Sequence, residues 1–227
     1  MTAFSENWHQ ILLGFGVTIE MVVVAGVLAL VVGSLMAALR VSPIAIGRVI
    51  GSAYVRLVRN TPLLLIMLIF AFGLPELDIR PEVSLGSARL LSFNVFFIFA
   101  TTALGLYTAA FVCEALRSGI NAIPLGQAEA ARSVGMTFGQ TLREVILPQA
   151  FRAVIPPIAS ALIAMTKNTS VALGVGVTEA TFVMKKLNND YPTQLIAIFV
   201  GFALGYMVLV ALISLVAGRL ERKLRIA

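Results

Sequence analysis

GQAEAARSVGMTFGQTLREVILPQAFRAVIPP, residues 126–157, is a long polar passage with helical character that lies between two apolar segments. Pro124 suits a first helical turn, where a missing N–H is tolerated, and no helix breaker interrupts residues 127–134. Gly135 can adopt the left-handed conformation that often follows the last turn of a helix. The sequence therefore predicts a short helix that ends at Gly135.

A second short helix is predicted immediately after this glycine. Thr137 and Gln140 have the spacing of a capping box. The apolar side chains that follow recur on one helical face: Phe138, Leu142, Val145 and Ile146. Pro148 is predicted to end this helix. Two short helices that meet at a glycine would form a rigid projection suited to a groove on another protein, and the alternative is a solvated loop.

The order of residues in this passage resembles the EAA loop of the membrane subunits of ABC importers. The matching residues are Glu129, Ala130, Ala131, Gly135, Leu147 and Pro148. Val145 stands where that family usually has isoleucine. The resemblance implies that residues 121–150 form a cytoplasmic coupling loop, which docks in a cleft of an ATPase subunit.

Composition places the chain in a membrane. Of its 227 residues, 59% are hydrophobic and 12% are charged, and the mean hydropathy is +0.96. A soluble domain of this size would have about 25% charged residues. We therefore predict an all-α integral membrane protein with one transmembrane domain, residues 1–227, in contact with lipid. The net charge is +6, but the cations do not form a concentrated basic patch with aromatic side chains that could contact bases. Nucleic acid is therefore not an expected partner.

Five largely apolar segments each supply the roughly 20 residues that a helix needs to cross a bilayer. They lie at about 11–39, 54–75, 90–114, 153–177 and 192–218. The second is uncharged only over 60–75, so its helix is expected to start earlier, with Arg56 and Arg59 reaching the interface. Polar connectors are predicted at 76–89 and 178–192.

The distribution of cations predicts the orientation of these spans. Twelve arginine and lysine residues fall on the side of the coupling loop. Four fall on the opposite side, namely Arg80, Arg89, Lys185 and Lys186. Because cationic loops favour the cytoplasm, the N-terminus is predicted outside and the C-terminus inside.

Enzyme chemistry is not indicated by any pattern in the sequence. Cys113 and His9 are the only residues of their types, so neither a metal cluster nor a usable nucleophilic set is predicted. No Gly-Lys pair occurs, which excludes a phosphate-binding P-loop. We expect no catalytic residue and no cofactor in this chain. The resemblance implies that ATP and Mg bind to two partner ATPase subunits.

Other short motifs make the resemblance more specific, because they are similar to motifs of the permeases for polar amino acids. These motifs are RNTPLL at 59–64, EALRSGI at 114–120 and KNTS at 167–170. Asn60 and Phe111 depart from the usual glycine and tyrosine of those permeases. GVGVTEA at 174–180 is nearest to the glutamate-uptake permeases.

This resemblance implies a permease subunit of an ATP-driven importer in the bacterial cytoplasmic membrane. Its expected partners are a second permease, identical or homologous, the ATPase subunits and an extracytoplasmic amino-acid-binding protein. The expected mechanism is alternating access, with glutamate as the expected cargo.

Charged and polar residues within the spans are candidates for the substrate pathway. They are Glu20, Glu114, Lys167, Asn168, Thr169 and Ser170. An ammonium within a span is costly unless it is paired or hydrated. Lys167 is therefore expected either to pair with Glu20, Glu114 or Glu179, or to provide a counter-charge for a substrate carboxylate. Glu114 has a second candidate partner in Arg117, three residues away on a helix.

The alternative function is that of a secondary transporter or channel, which uses an ion gradient and no ATPase. Such carriers often contain inverted repeats, and no internal duplication is visible here. A third class is a non-transporting membrane scaffold, in which the coupling loop would have no function. A transport assay separates the first two classes, because an ABC importer requires ATP, whereas transport by a secondary carrier stops when an ionophore collapses the ion gradient.

Overall fold

Helices account for all regular secondary structure in the part of the chain that the structure describes. The structure is a computed structural model that describes residues 2–42, 44–79, 81 and 94–224. Its helices are α1 (Thr2–Val41), α2 (Ala45–Arg59), α3 (Leu63–Glu76), α4 (Val95–Asn121), α5 (Leu125–Ser133), α6 (Phe138–Val175), α7 (Ala180–Asp190) and α8 (Leu195–Leu224). The all-α prediction is confirmed for these residues. Most of the predicted connector at 76–89, and the first residues of the predicted third span, 90–93, lie outside them.

Four of these helices are long and apolar enough to cross a membrane. They are α1, α4, α6 and α8, and the bent pair of α2 and α3 becomes a fifth span if it is counted as one. The most apolar window of α8 has a mean hydropathy of 2.7, yet only 11% of that window is buried within the chain. Because such surface is unfavourable in water, α8 lies against lipid or another subunit.

The predicted second span, 54–75, is divided between two helices. Residues 54–59 belong to α2, and the axis turns by 103° before α3 begins at Leu63. Pro62 has no N–H and disfavours helical geometry in the residue before it, which explains a break at this point. The expectation of one continuous helix through Asn60 and Thr61 is therefore wrong.

The core is centred on α1 and α4, which pack together over much of their length. Met21 and Ala25 of α1 lie fully buried in the same cluster as Phe97 and Leu104 of α4. Met67 of α3 joins this cluster. Small residues allow the helices to approach closely, since a Cβ on Gly33 would lie 2.7 Å from the Val112 side chain and 2.9 Å from the Ala109 carbonyl oxygen.

Gly33→Leu is expected to lower the stability of the permease by about 1–3 kcal/mol, because the added atoms overlap the Ala109 backbone, which cannot move aside cheaply. Thermal unfolding of the purified protein in detergent measures the change. Gly16→Leu on the same helix is the matched control, since an added Cβ there meets nothing within 4 Å. Equal melting temperatures for the two variants would contradict this packing.

The predicted connector at 178–192 contains α7, a helix that the sequence interpretation missed. Val183 and Leu187 of α7 are buried against α1 and α8 with Phe202. At this end of the bundle the Tyr191 hydroxyl donates a hydrogen bond to Glu6, at 2.7 Å. The bond to the Glu6 carboxylate raises the pKa of the Tyr191 phenol. These contacts hold the start of α1 against the connection between α7 and α8.

Candidate functional site: the coupling loop

The predicted coupling loop is an ordered projection between α4 and α6. Its first part is α5, which begins directly after Pro124 and ends before Gly135. Gly135 has a φ of +87°, so the predicted left-handed turn is confirmed. The capping box is also confirmed, since the Thr137 N–H donates to Gln140 Oε1 at 2.9 Å and the Gln140 N–H donates to Thr137 Oγ1 at 3.3 Å.

Pro148 does not end the second helix of the loop, and that prediction is wrong. Helix α6 continues from Phe138 through Pro148 to Val175. A π-helical turn at Thr141–Ile146 comes immediately before the proline. The wider turn displaces the carbonyl that a proline ring would otherwise meet in an α-helix. The coupling loop is therefore continuous with the helix that contains the predicted fourth span.

A hydrogen bond joins the two halves of the loop. The Gln149 side-chain amide donates to the Gln127 side-chain oxygen and to the Val145 carbonyl, the latter at 2.9 Å. Ala131 is 7% exposed and lies on the inner face of α5. α5 is thus fixed to the start of α6 by packing and by a side-chain bond, which makes the loop a rigid projection.

Several side chains of this projection face solvent. Among the predicted coupling residues, Glu129, Ala130, Gly135, Leu147 and Pro148 are exposed. Large apolar side chains accompany them: Leu125 is 81% exposed, Val134 is 78% exposed and Phe138 is 76% exposed. The sequence interpretation did not include Leu125 and Val134 among the candidates. The sequence did contain a signal for them, because both are large apolar residues at the two ends of α5.

A second group of candidate residues lies where α1 and α4 end. Arg40 forms a salt bridge with Glu114, and Arg59 lies 4.0 Å from the same carboxylate. The Arg59 guanidinium also stands 5.5 Å from the centre of the Phe111 ring. Arg117, predicted as an alternative partner of Glu114, is not in a salt bridge with it.

Lys167 lies near the end of the α-helical part of α6, where the helix tightens into a 3₁₀ turn at Thr169–Val175. Its neighbours bond to the backbone, because Thr169 Oγ1 donates to Thr166 O and Ser170 Oγ donates to Lys167 O, each at 2.7 Å. Asn168 is half-buried and Lys167 is exposed. In the described part of the chain, no carboxylate forms a salt bridge with Lys167.

The three carboxylates predicted as partners of Lys167 occupy other positions. Glu114 pairs with arginine, as described above. Glu179 is fully buried, caps α7 by accepting the N–H groups of Thr181 and Phe182, and accepts the Tyr206 hydroxyl at 2.8 Å. Glu20 lines a cavity of about 410 Å³ together with Lys186. The candidate pathway residues are thus not gathered into one site within this chain.

Similarity to known proteins identifies the family of this chain. Residues 12–226 match the family described as "Binding-protein-dependent transport system inner membrane component". The chain is 40% identical over 227 residues to the glutamate transport system permease protein GluC of Corynebacterium glutamicum, covering 99% of this chain and 98% of the relative. It is 35% identical over 214 residues to the glutamate/aspartate import permease protein GltJ of Escherichia coli, covering 94% of this chain and 86% of the relative.

A solved structure, "Crystal structure of an amino acid ABC transporter with histidines", is similar to the whole fold. The TM-score is 0.83 at 25% identity, and the match covers 97% of this chain and 96% of that chain. The protein belongs to the family of binding-protein-dependent inner membrane components. It is a multi-pass permease subunit of the cytoplasmic membrane, and its resemblance to ABC-importer permeases for polar amino acids is confirmed.

Proposed function

We propose that this permease imports glutamate in a complex driven by ATP hydrolysis on two partner ATPase subunits, which bind ATP and Mg. The observation that carries the proposal is the rigid, exposed coupling loop, continuous with α6. The cargo is supported by the similarity to the glutamate permease GluC along almost the whole chain. Alternating access follows if closure of the ATPases moves the two coupling loops and, through α6, the spans.

The proposed topology has five spans, with α2 and α3 together counted as one. The N-terminus then lies outside and the C-terminus inside, which puts the coupling loop beside the cytoplasmic ATPases. An exposed, rigid surface that includes Leu125, Val134 and Phe138 around Glu129 suits a groove with an apolar floor and a cationic rim. The extracytoplasmic binding protein would dock on the opposite end of the bundle.

A second permease subunit, identical or homologous, is part of the proposal because of Lys167. This exposed ammonium lies on a helix that is apolar enough to cross a membrane, where contact with lipid is costly. Placing it on a polar pathway between two permeases removes that cost. On that pathway the Lys167 ammonium would be the counter-charge for the carboxylate of the cargo.

Uptake of labelled glutamate into proteoliposomes containing the whole complex tests the function. Uptake is expected to require ATP on the ATPase side and the binding protein on the other side, and to persist when an ionophore collapses ion gradients. Transport that needs a gradient and no ATP would favour the secondary carrier. Strong uptake of arginine without glutamate would overturn the proposed cargo.

Lys167→Met is expected to reduce glutamate uptake about tenfold or more, because a charge-assisted contact is worth about 1.5–3 kcal/mol. Assembly and basal ATP hydrolysis should stay unchanged. Lys223→Met, which removes an exposed cation near the end of α8, is the matched control and should transport normally. A loss of thermal stability in Lys167→Met with unchanged uptake would assign Lys167 a structural role instead.

A further inference from the structure

Helix α2 has three distinct faces along its 15 residues. One face is buried against α1 and α4 and includes Gly47, Gly51 and Val55. A second face has a cation at each end and a hydroxyl between them, in Arg48, Ser52 and Arg56. The remaining surface is apolar and exposed, with Ile46 at 71%, Val49 at 67%, Ile50 at 53% and Leu57 at 69%. Exposed apolar and cationic side chains on one helix are typical of a helix that lies in the membrane interface.

Two adjoining cavities lie beside this helix, where α1 and α4 end. Their volumes are about 420 and 540 Å³, and Arg40, Ser52 and Arg56 line both. Arg59 and Glu114 line the first, whereas Arg48 and Arg117 line the second. Five arginines therefore line the two adjoining cavities, and Glu114 is the one acidic residue among the described residues that line them.

The charges in these cavities are only partly balanced within the described chain. Glu114 lies between Arg40 and Arg59, and its carboxylate balances part of the positive charge around the first cavity. Neither Arg56 nor Arg117 is in a salt bridge with a described carboxylate. Arg48 donates to the Ser42 carbonyl at 2.9 Å, which holds its guanidinium at the edge of the second cavity. The second cavity thus has four guanidinium groups and a hydroxyl around it, and no acidic residue that the structure describes lines it.

We propose that these cavities bind the phosphate of an anionic phospholipid. Guanidinium groups and a hydroxyl are suitable donors for phosphate oxygens. A lipid is favoured over a free anion because the exposed apolar side chains Val49 and Ile50 adjoin the cationic face, where acyl chains would contact them. The axis turns by 103° after Arg59, so α2 does not continue the direction of α3, and the proposal places α2 at the depth of the headgroups. The proposed cargo contact is Lys167, which lines neither cavity, so this inference does not depend on which amino acid is transported.

Native mass spectrometry of the full importer complex, incubated with phosphatidylglycerol or with phosphatidylcholine of the same acyl chains, tests the proposal. Arg48→Gln combined with Arg56→Gln is expected to weaken binding of phosphatidylglycerol about tenfold or more, since each cation near an anionic headgroup adds to the attraction. Arg219→Gln combined with Arg222→Gln is the control. It removes two exposed cations near the end of α8, outside both cavities, and should change lipid binding less than about twofold.

Competition with inorganic phosphate shows whether the cavities bind the phosphate of a lipid headgroup or a free phosphate anion. Partial competition by millimolar phosphate, with phosphatidylglycerol bound more tightly than phosphatidylcholine, supports the lipid site. Binding of phosphate without any preference between the two lipids would overturn the lipid assignment in favour of a free anion. An equal loss of lipid binding in the two double variants, or no lipid retained by the complex, would overturn the site itself.

Discussion

Gly135→Val is expected to abolish coupled transport while the permease still inserts and folds. Gly135 has a φ of +87°, a conformation that costs a β-branched residue about 1–3 kcal/mol or more and that the surrounding loop has to maintain. The turn would relax to negative φ and rotate α5 relative to the start of α6. Glu129 and the apolar side chains beside it would then no longer present one surface. ATP hydrolysis stimulated by the binding protein, and glutamate uptake, measure the loss.

Gly139→Val is the matched control for this change. A Cβ added at Gly139 also meets nothing within 4 Å, but this residue lies in helical geometry, so the same atoms are added without a backbone conflict. We expect it to retain most of the transport. If Gly135→Val transports as well as Gly139→Val, the turn is not required for coupling and the docking assignment fails.

Glu114→Gln is expected to lower the stability of the permease by about 1–3 kcal/mol, since it leaves the partly buried Arg40 guanidinium without its counter-ion. The Arg40 side chain is only 11% exposed, so water can replace the carboxylate only in part. Arg59, which is 47% exposed, can turn to solvent and should lose little. Thermal unfolding in detergent, followed by intrinsic fluorescence, measures the change.

Glu144→Gln provides the comparison, because Glu144 pairs with Arg143 at 3.7 Å with both side chains largely exposed. An exposed pair of this kind contributes about 0–1 kcal/mol, so this variant should melt close to the unmodified protein. Arg40→Met combined with Glu114→Leu should recover part of the stability, since neither charge is then stranded. Equal effects of Glu114→Gln and Glu144→Gln would show that burial does not strengthen the inner pair.

The features that the sequence determined are local ones. The turn at Gly135 follows from a glycine directly after a helix-forming stretch, and the cap follows from Thr137 and Gln140 three residues apart. Each depends on contacts within one turn of helix, so neighbouring residues specify it. The same holds for the apolar segments, because a run of about 20 apolar residues requires a membrane whatever lies beside it. The short motifs added the family, since most of their residues match, with departures at Asn60, Phe111 and Val145.

The tertiary structure decided which distant groups meet and where helices bend. Glu114 had Arg117 three residues away and Lys167 as candidate partners, yet it pairs with Arg40, which is 74 residues distant in sequence. That choice depends on the close approach of α1 and α4, which spacing along one helix does not reveal. Pro62 accounts for a break after α2 but does not by itself set its angle of 103°, and a π-helical turn before Pro148 lets α6 continue. For Glu114 the local spacing leaves several partners open, and the packing of α1 against α4 selects Arg40.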